Sequence, residues 1–173
     1  MNPKNIILIG MPGAGKSTVG VVLAKRLGYR FLDSDLLIQE KQGRTLSQII
    51  HEEGTDGFLA IEDEINSEIR TERCVIATGG SAVYGKRAMQ HLKSIGTIIY
   101  LQVSLENLKK RLGDLTDRGV ALRDGQTLDD LYAERAPLYE KYADITVREE
   151  AFDIPGTIRR ICRQIDLLRD NAF

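Results

Sequence analysis

Residues 5–9 read Asn-Ile-Ile-Leu-Ile, an almost unbroken apolar, β-branched run. A run that is apolar on both faces suits a strand buried in the middle of a parallel sheet. The pattern then switches to helical spacing over 16–27, with Val19, Val22, Leu23 and Leu27 apolar. It stops at Gly28, a residue suited to the left-handed turn that ends helices. The alternation continues along the chain. Short strands are expected at 30–32, 74–77, 97–101 and 145–147. Helices are expected over 84–94, 105–112, 128–142 and 155–168, with Pro155 near a first helical position and Pro137 as a point for a kink or break. Strands alternating with helices argue for an α/β protein built of βαβ units, with helices on both faces of a parallel sheet.

Two segments interrupt this order. Residues 34–70 carry helical patterns at 35–41, 46–53 and 57–71, broken near Gly43, with Phe58, Ile61, Ile65 and Ile69 on one stripe. A strand would ordinarily fall here, so the segment is expected to be an insertion over the sheet's C-terminal edge. Residues 113–126 hold three Gly, three Asp and two Arg with little apolar periodicity. That composition predicts a mobile loop, and its length makes it a candidate for function.

The chain has 173 residues, the size of one domain. Lys plus Arg is 24 against 25 for Asp plus Glu, a net charge of -1, so no basic excess marks a nucleic-acid coat. No apolar stretch approaches the roughly 20 residues that span a bilayer. Cys74 and Cys162 are far apart and give no zinc spacing, which suits reduced thiols and a cytoplasmic address. No exposed apolar seam is readable, and a monomer is expected.

The chemistry begins at Gly10-Met11-Pro12-Gly13-Ala14-Gly15-Lys16-Ser17, which fits G-x-x-x-x-G-K-[ST] between an expected strand and an expected helix. Backbone N–H groups of Gly13, Ala14, Gly15, Lys16, Ser17 and Thr18 would cradle a polyphosphate at the helix N-terminus. Lys16 would reach the β- and γ-phosphates, and the Ser17 hydroxyl would ligate Mg²⁺. Asp33-Ser34-Asp35 follows the second strand, at the sheet edge where open α/β proteins bind ligands. Asp33 could hold Mg²⁺, and Asp35 could orient an acceptor hydroxyl and take its proton. Either Asp33 or Ser34 is also expected to cap the next helix.

Taken together, residues 10–18, Asp33-Ser34-Asp35, Thr78-Gly79-Gly80, Arg118 and Arg135-Ala136-Pro137-Leu138-Tyr139 resemble the shikimate kinases in order and approximate spacing, over residues 5 to about 168. The resemblance implies a P-loop NTPase fold of the nucleoside-monophosphate-kinase type: three layers, α/β/α, around a five-stranded parallel sheet. It implies one kinase domain over 1–173, with a core of 1–33, 72–112 and 143–173. An acceptor-binding helical insertion would span 34–71, and a lid about 113–126, followed by a helix at 127–142. It implies transfer of the ATP γ-phosphoryl group to a hydroxyl of a small acid, shikimate, giving shikimate 3-phosphate, with ATP and Mg²⁺ as cofactors. Lys16, Asp35 and Arg118 would then be catalytic. Arg111, Arg118 and Pro155 would join the nucleotide site. Phe58, Gly79, Gly80 and Arg135 would join Asp35 around the acceptor.

Three positions depart from the family pattern. Leu59 stands where a second carboxylate-binding arginine is expected, Ser81 replaces a third glycine, and the lid reads Arg118-Gly119-Val120-Ala121-Leu122. Leu59 lies off the apolar stripe and is expected to line the acceptor pocket. Losing one partner of a buried charge pair costs about 2–5 kcal/mol, a factor on the order of 30 to several thousand in shikimate binding unless another cation substitutes. Three readings therefore stay open beside the first: a kinase for a different small hydroxylated acceptor, a nucleotide-binding regulator without turnover, and a nucleoside monophosphate kinase.

Overall fold

The computed structural model describes residues 5–112, 121, 123–149 and 153–170. Five parallel strands form one sheet: β1 (Asn5–Ile9), β2 (Arg30–Asp33), β3 (Cys74–Ala77), β4 (Thr97–Val103) and β5 (Ile145–Glu149), in the order β2-β3-β1-β4-β5. The β1 run lies at the sheet's centre with Ile6, Ile7, Leu8 and Ile9 fully buried. Its register sets Leu8 beside Ala77 on one side and Ile99 on the other. β5 is an edge strand, and Thr146 and Arg148 face out between buried Ile145 and Val147. That alternation is the mark of a half-buried edge.

The helices are α1 (Lys16–Leu27), α2 (Ser34–Gln42), α3 (Leu46–Ser67), α4 (Lys86–Ile95), α5 (Leu105–Leu112), α6 (Leu128–Tyr142) and α7 (Ile154–Asp170). Gly28 ends α1 in the left-handed conformation, with its N–H on the Lys25 carbonyl. Asp33 is the cap of α2, its Oδ1 accepting from the Asp35 and Leu36 N–H groups at 3.0 and 3.3 Å. α6 passes through Pro137 without ending. Among the described residues no helix is long and apolar enough to cross a membrane.

Three boundaries differ from expectation. The two helices expected at 46–53 and 57–71 are joined as α3, which turns at Gly54 (φ 72°, ψ 174°) and resumes. A glycine reaches that conformation without a Cβ clash, so one residue redirects the helix where the sequence pattern suggested a longer gap. α3 stops at Ser67 because Glu68 N–H folds back to the Ile65 carbonyl at 3.2 Å. The helix expected over 84–94 is present as α4 but starts at Lys86, after a short 3₁₀ turn at Ala82–Tyr84 and Gly85.

The main core fills both faces of the sheet. A second cluster of Ile38, Ile49, Phe58, Ile65 and Ala121 ties α2 and α3 together and includes one residue of the 113–126 segment. This separate cluster lets α2 and α3 stand as a wall beside the C-terminal ends of β1 and β3.

Candidate active site

Between β1 and α1 the chain wraps through Gly10, Gly13 and Gly15, all at positive φ (148°, 80° and 85°). The Ala14 N–H closes the turn on the Met11 carbonyl at 3.1 Å. Lys16 points back into this loop. Its ammonium donates to the carbonyls of Gly10 (2.7 Å) and Met11 (2.8 Å), and the side chain is buried. Burial pulls its pKa down to about 8, against the opposing fields of Asp35, Asp33 and Glu62. The resting loop thus holds a cation within reach of any polyphosphate that enters it.

The Ser17 hydroxyl donates to Asp33 Oδ2 at 2.6 Å. Asp33 spends its other oxygen on the α2 cap, which fixes the carboxylate. A hydroxyl and a carboxylate oxygen side by side, next to a phosphate loop, are the hard donors Mg²⁺ takes alongside phosphate oxygens and water. Among the described residues no cluster of three or more His, Cys, Asp or Glu forms a separate metal cage.

A cavity of about 270 Å³ opens beside Lys16. Asp35, Ser17, Thr18 and Arg135 supply its polar wall, Leu46, Phe58 and Ala121 its apolar wall, and Pro12, Gly13, Gly15, Thr78, Gly79, Gly80 and Ser81 complete it. Asp35 projects from the first turn of α2. Burial, with Asp33 nearby, raises its pKa to about 6, against the pull of Lys16. At neutral pH it is ionised and can accept a proton. Arg135 is almost fully buried on α6. Its Nη2 donates to the Ala121 carbonyl at 3.0 Å, its Nε to the Tyr84 hydroxyl at 3.3 Å, and its guanidinium lies 5.3 Å from the Tyr84 ring centre. The Tyr84 hydroxyl in turn donates to Glu134 at 2.6 Å. A guanidinium held this way presents a fixed charge at the cavity wall.

Glu62 was not marked by the sequence reading. It lies on α3 one turn after Phe58, almost fully buried, and its Oε2 accepts from the Ser81 hydroxyl at 2.6 Å. Its Oε1 has no hydrogen-bond partner among the described residues. Burial pushes its pKa up to about 8, with Ser81 opposing and Asp35 reinforcing the rise. A Cβ on Gly79 would fall 2.6 Å from Asp35 Oδ1 and 2.7 Å from Glu62 Oε1. The two carboxyl groups therefore close around the Gly79 backbone, and no larger residue fits there. The signal that could have found Glu62 is a charged residue at i+4 on the Phe58 stripe, where a core helix normally carries an apolar one.

The structure brings Gly13, Gly15, Lys16, Ser17, Thr18, Asp35, Phe58, Gly79, Gly80 and Arg135 to one cavity. Ala14 is buried in the loop, and Asp33 stands behind Ser17. Arg111 lies elsewhere: its Nη1 donates to the Gly13 carbonyl at 3.4 Å and sits 3.7 Å from Glu149 Oε2, across the phosphate loop from Asp35. Pro155 is exposed in the first turn of α7, outside the cavity. Leu59 does not line this cavity. It borders a separate void of about 10 Å³ with Tyr84, Arg123, Glu134 and Arg135, and among the described residues Arg135 and Ala121 line both that void and the main pocket. Arg118 lies outside the described residues.

Comparison with known proteins gives one consistent answer. Residues 12–166 match the family model described as shikimate kinase. A shikimate kinase of Francisella tularensis subsp. holarctica is 39% identical over 162 residues, 91% of this chain and 92% of that protein. One from Thiobacillus denitrificans is 37% identical over 172 residues, 97% of this chain and 93% of that protein. Among solved structures, a shikimate kinase from Acinetobacter baumannii in complex with shikimate superposes with a TM-score of 0.86 at 35% identity, covering 94% of this chain and 93% of that one.

Proposed function

The chain belongs to the shikimate kinase family, and from that premise we propose that it transfers the γ-phosphoryl group of ATP to a hydroxyl of shikimate, releasing ADP and shikimate 3-phosphate. The observation that carries this reading is that Asp35, a general base, and Arg135, a fixed cation, line one cavity together with Lys16 of the phosphate loop.

The glycine turn and α1 bind the triphosphate, and Lys16 leaves the Gly10 and Met11 carbonyls for the phosphate oxygens. Ser17 and Asp33 would hold Mg²⁺, which would supply positive charge to offset that of the triphosphate. Arg135 pairs with the shikimate carboxylate and so turns a ring hydroxyl toward Asp35. Asp35 takes the hydroxyl proton as the new O–P bond forms and the bond to the β–γ bridging oxygen breaks. The Gly79 N–H is held by Ser34 Oγ at 3.3 Å, which fixes the turn, and the Gly80 N–H is the one that steadies the acceptor. Phe58 and Leu46 exclude water on the apolar side. Arg118, which lies outside the described residues, is the cation proposed to stabilise the charge of the transferring group.

Because Leu59 brings no charge, Arg135 carries the carboxylate alone among the described residues of this wall. Shikimate is then held less tightly than by two arginines, and hydroxylated compounds without a carboxylate are rejected less sharply. Phosphorus NMR of reactions containing ATP, Mg²⁺ and one acceptor at a time, run over shikimate, its uncharged analogues and nucleoside monophosphates, tests the proposal. A new phosphomonoester signal that appears with shikimate and outpaces every other acceptor is expected. A faster signal with any other compound overturns the substrate assignment.

A further inference from the structure

Tyr139 stands four residues after Arg135 on α6, completely buried. Its hydroxyl donates to the Gly80 carbonyl at 2.6 Å and lies 3.8 Å from Met11 Sδ. Its ring stacks on Tyr100 of β4, with centres 5.1 Å apart and planes at 28°. Gly80 is gripped from other sides as well. A Cβ placed there would come within 2.7 Å of Pro12 Cδ and 3.0 Å of Arg135 Nη1. Met11, the second contact of the hydroxyl, lends its carbonyl to the Lys16 ammonium. One phenol oxygen thus touches both the glycine turn on the acceptor side and the phosphate-loop residue that holds Lys16.

Packing alone does not account for this. The ring and its stack on Tyr100 fill the core whether or not the oxygen is present. The oxygen makes a short, directed bond to one peptide, and orienting the Gly80 carbonyl fixes the peptide plane that continues to the Ser81 N–H. The same bond limits how far the glycine turn can move relative to α6, which carries Arg135. Burial raises the phenol's pKa, so it remains a donor throughout the working range.

We propose that Tyr139 is a positioning residue for phosphoryl transfer: through Gly80 it sets the acceptor-side glycine turn in register with Arg135 and with the phosphate loop. This rests on reading the cavity as the shikimate site, and the experiment separates the two claims.

The test is Tyr139→Phe, which removes one oxygen and keeps the ring. Losing one neutral hydrogen bond corresponds to about two- to twelvefold in an equilibrium. In the variant, kcat/KM for shikimate is expected to fall about three- to tenfold, with the Kd of a non-hydrolysable ATP analogue within about twofold of wild type. Hydrogen exchange across 78–84, read without any acceptor, is expected to quicken at least about threefold, with β1 unchanged. A lower Tm with unchanged exchange and unchanged kcat/KM overturns the proposal and leaves Tyr139 as packing. Faster exchange with unchanged kcat/KM also overturns it, as does a loss confined to nucleotide affinity. If the wild type fails to phosphorylate shikimate, the substrate reading falls, and the exchange measurement alone decides whether Tyr139 sets the turn.

Discussion

The Ser81 hydroxyl donates to Glu62 Oε2 at 2.6 Å, joining the glycine turn after β3 to the middle of α3 beside the acceptor pocket. The contact spans two departures from ordinary patterning: a serine in a glycine turn and a carboxyl on a core-facing stripe. Each supplies what the other lacks. The serine gives a buried carboxyl its donor, and the carboxyl gives the largely buried hydroxyl an acceptor.

Glu62 makes stability depend on pH in a stated direction. Its pKa rises from 4.5 in the open chain to about 8 in the fold. Between those values the unfolded chain has released the proton and the folded chain keeps it, so stability falls as pH rises through that window. Glu62→Gln removes this dependence while keeping an acceptor for Ser81. The variant is expected to gain on wild type from pH 5 to pH 9, by about 1–3 kcal/mol at the upper end. Urea unfolding midpoints at the two pH values check it. Equal differences at both would show that Glu62 is ionised throughout.

Lys16 rests on the Gly10 and Met11 carbonyls, with its ammonium buried inside the phosphate loop. Lys16→Met keeps the stem and removes the charge. Hydrogen bonds to charged groups contribute about 1.5–3 kcal/mol each, so ATP affinity should drop about 10- to 150-fold. Isothermal titration with a non-hydrolysable analogue and Mg²⁺ measures this. Unchanged affinity would remove the loop from the nucleotide site.

Arg135 offers a fork that lysine cannot reproduce, because its Nη2 and Nε are already committed to Ala121 and Tyr84. Arg135→Lys is expected to raise the shikimate KM at least about tenfold, with the nucleotide Kd within about twofold. Initial rates over a shikimate series report the first, and titration the second. A rise in nucleotide Kd with unchanged shikimate KM would move Arg135 to the other substrate.

The strands and the phosphate loop were legible because each is written in contiguous residues, whereas the order β2-β3-β1-β4-β5 was not. The 5–9 run suits a buried strand, and glycines at 10, 13 and 15 allow a tight turn. A cap at Asp33 or Ser34 was legible for the same reason, and Asp33 takes it, with partners two and three residues away. Glu62 was hidden because its reason for being buried, Ser81, lies nineteen residues on in another element. Leu59 shows a different limit. Helical arithmetic set it to one side of the Phe58 stripe but could not tell which neighbour that side meets, and it meets the Arg123 and Glu134 side of Arg135 rather than the main cavity. The continuity of α3 was obscured by Gly54, where one left-handed residue bends a helix that the pattern divides.

The account turns on Asp35 receiving a proton from shikimate while ATP sits in the glycine loop. The most direct measurement is the rate of ADP formation with saturating ATP and Mg²⁺ as a function of shikimate, from pH 5 to pH 8, for wild type and Asp35→Asn. Wild type is expected to show saturable, shikimate-dependent turnover that falls about tenfold per unit below pH about 6, where Asp35 becomes protonated. Asp35→Asn is expected to lose about 10²–10⁴-fold in kcat together with that low-pH limb. ADP formation that ignores shikimate, or a variant that keeps the wild-type rate and profile, would contradict the account.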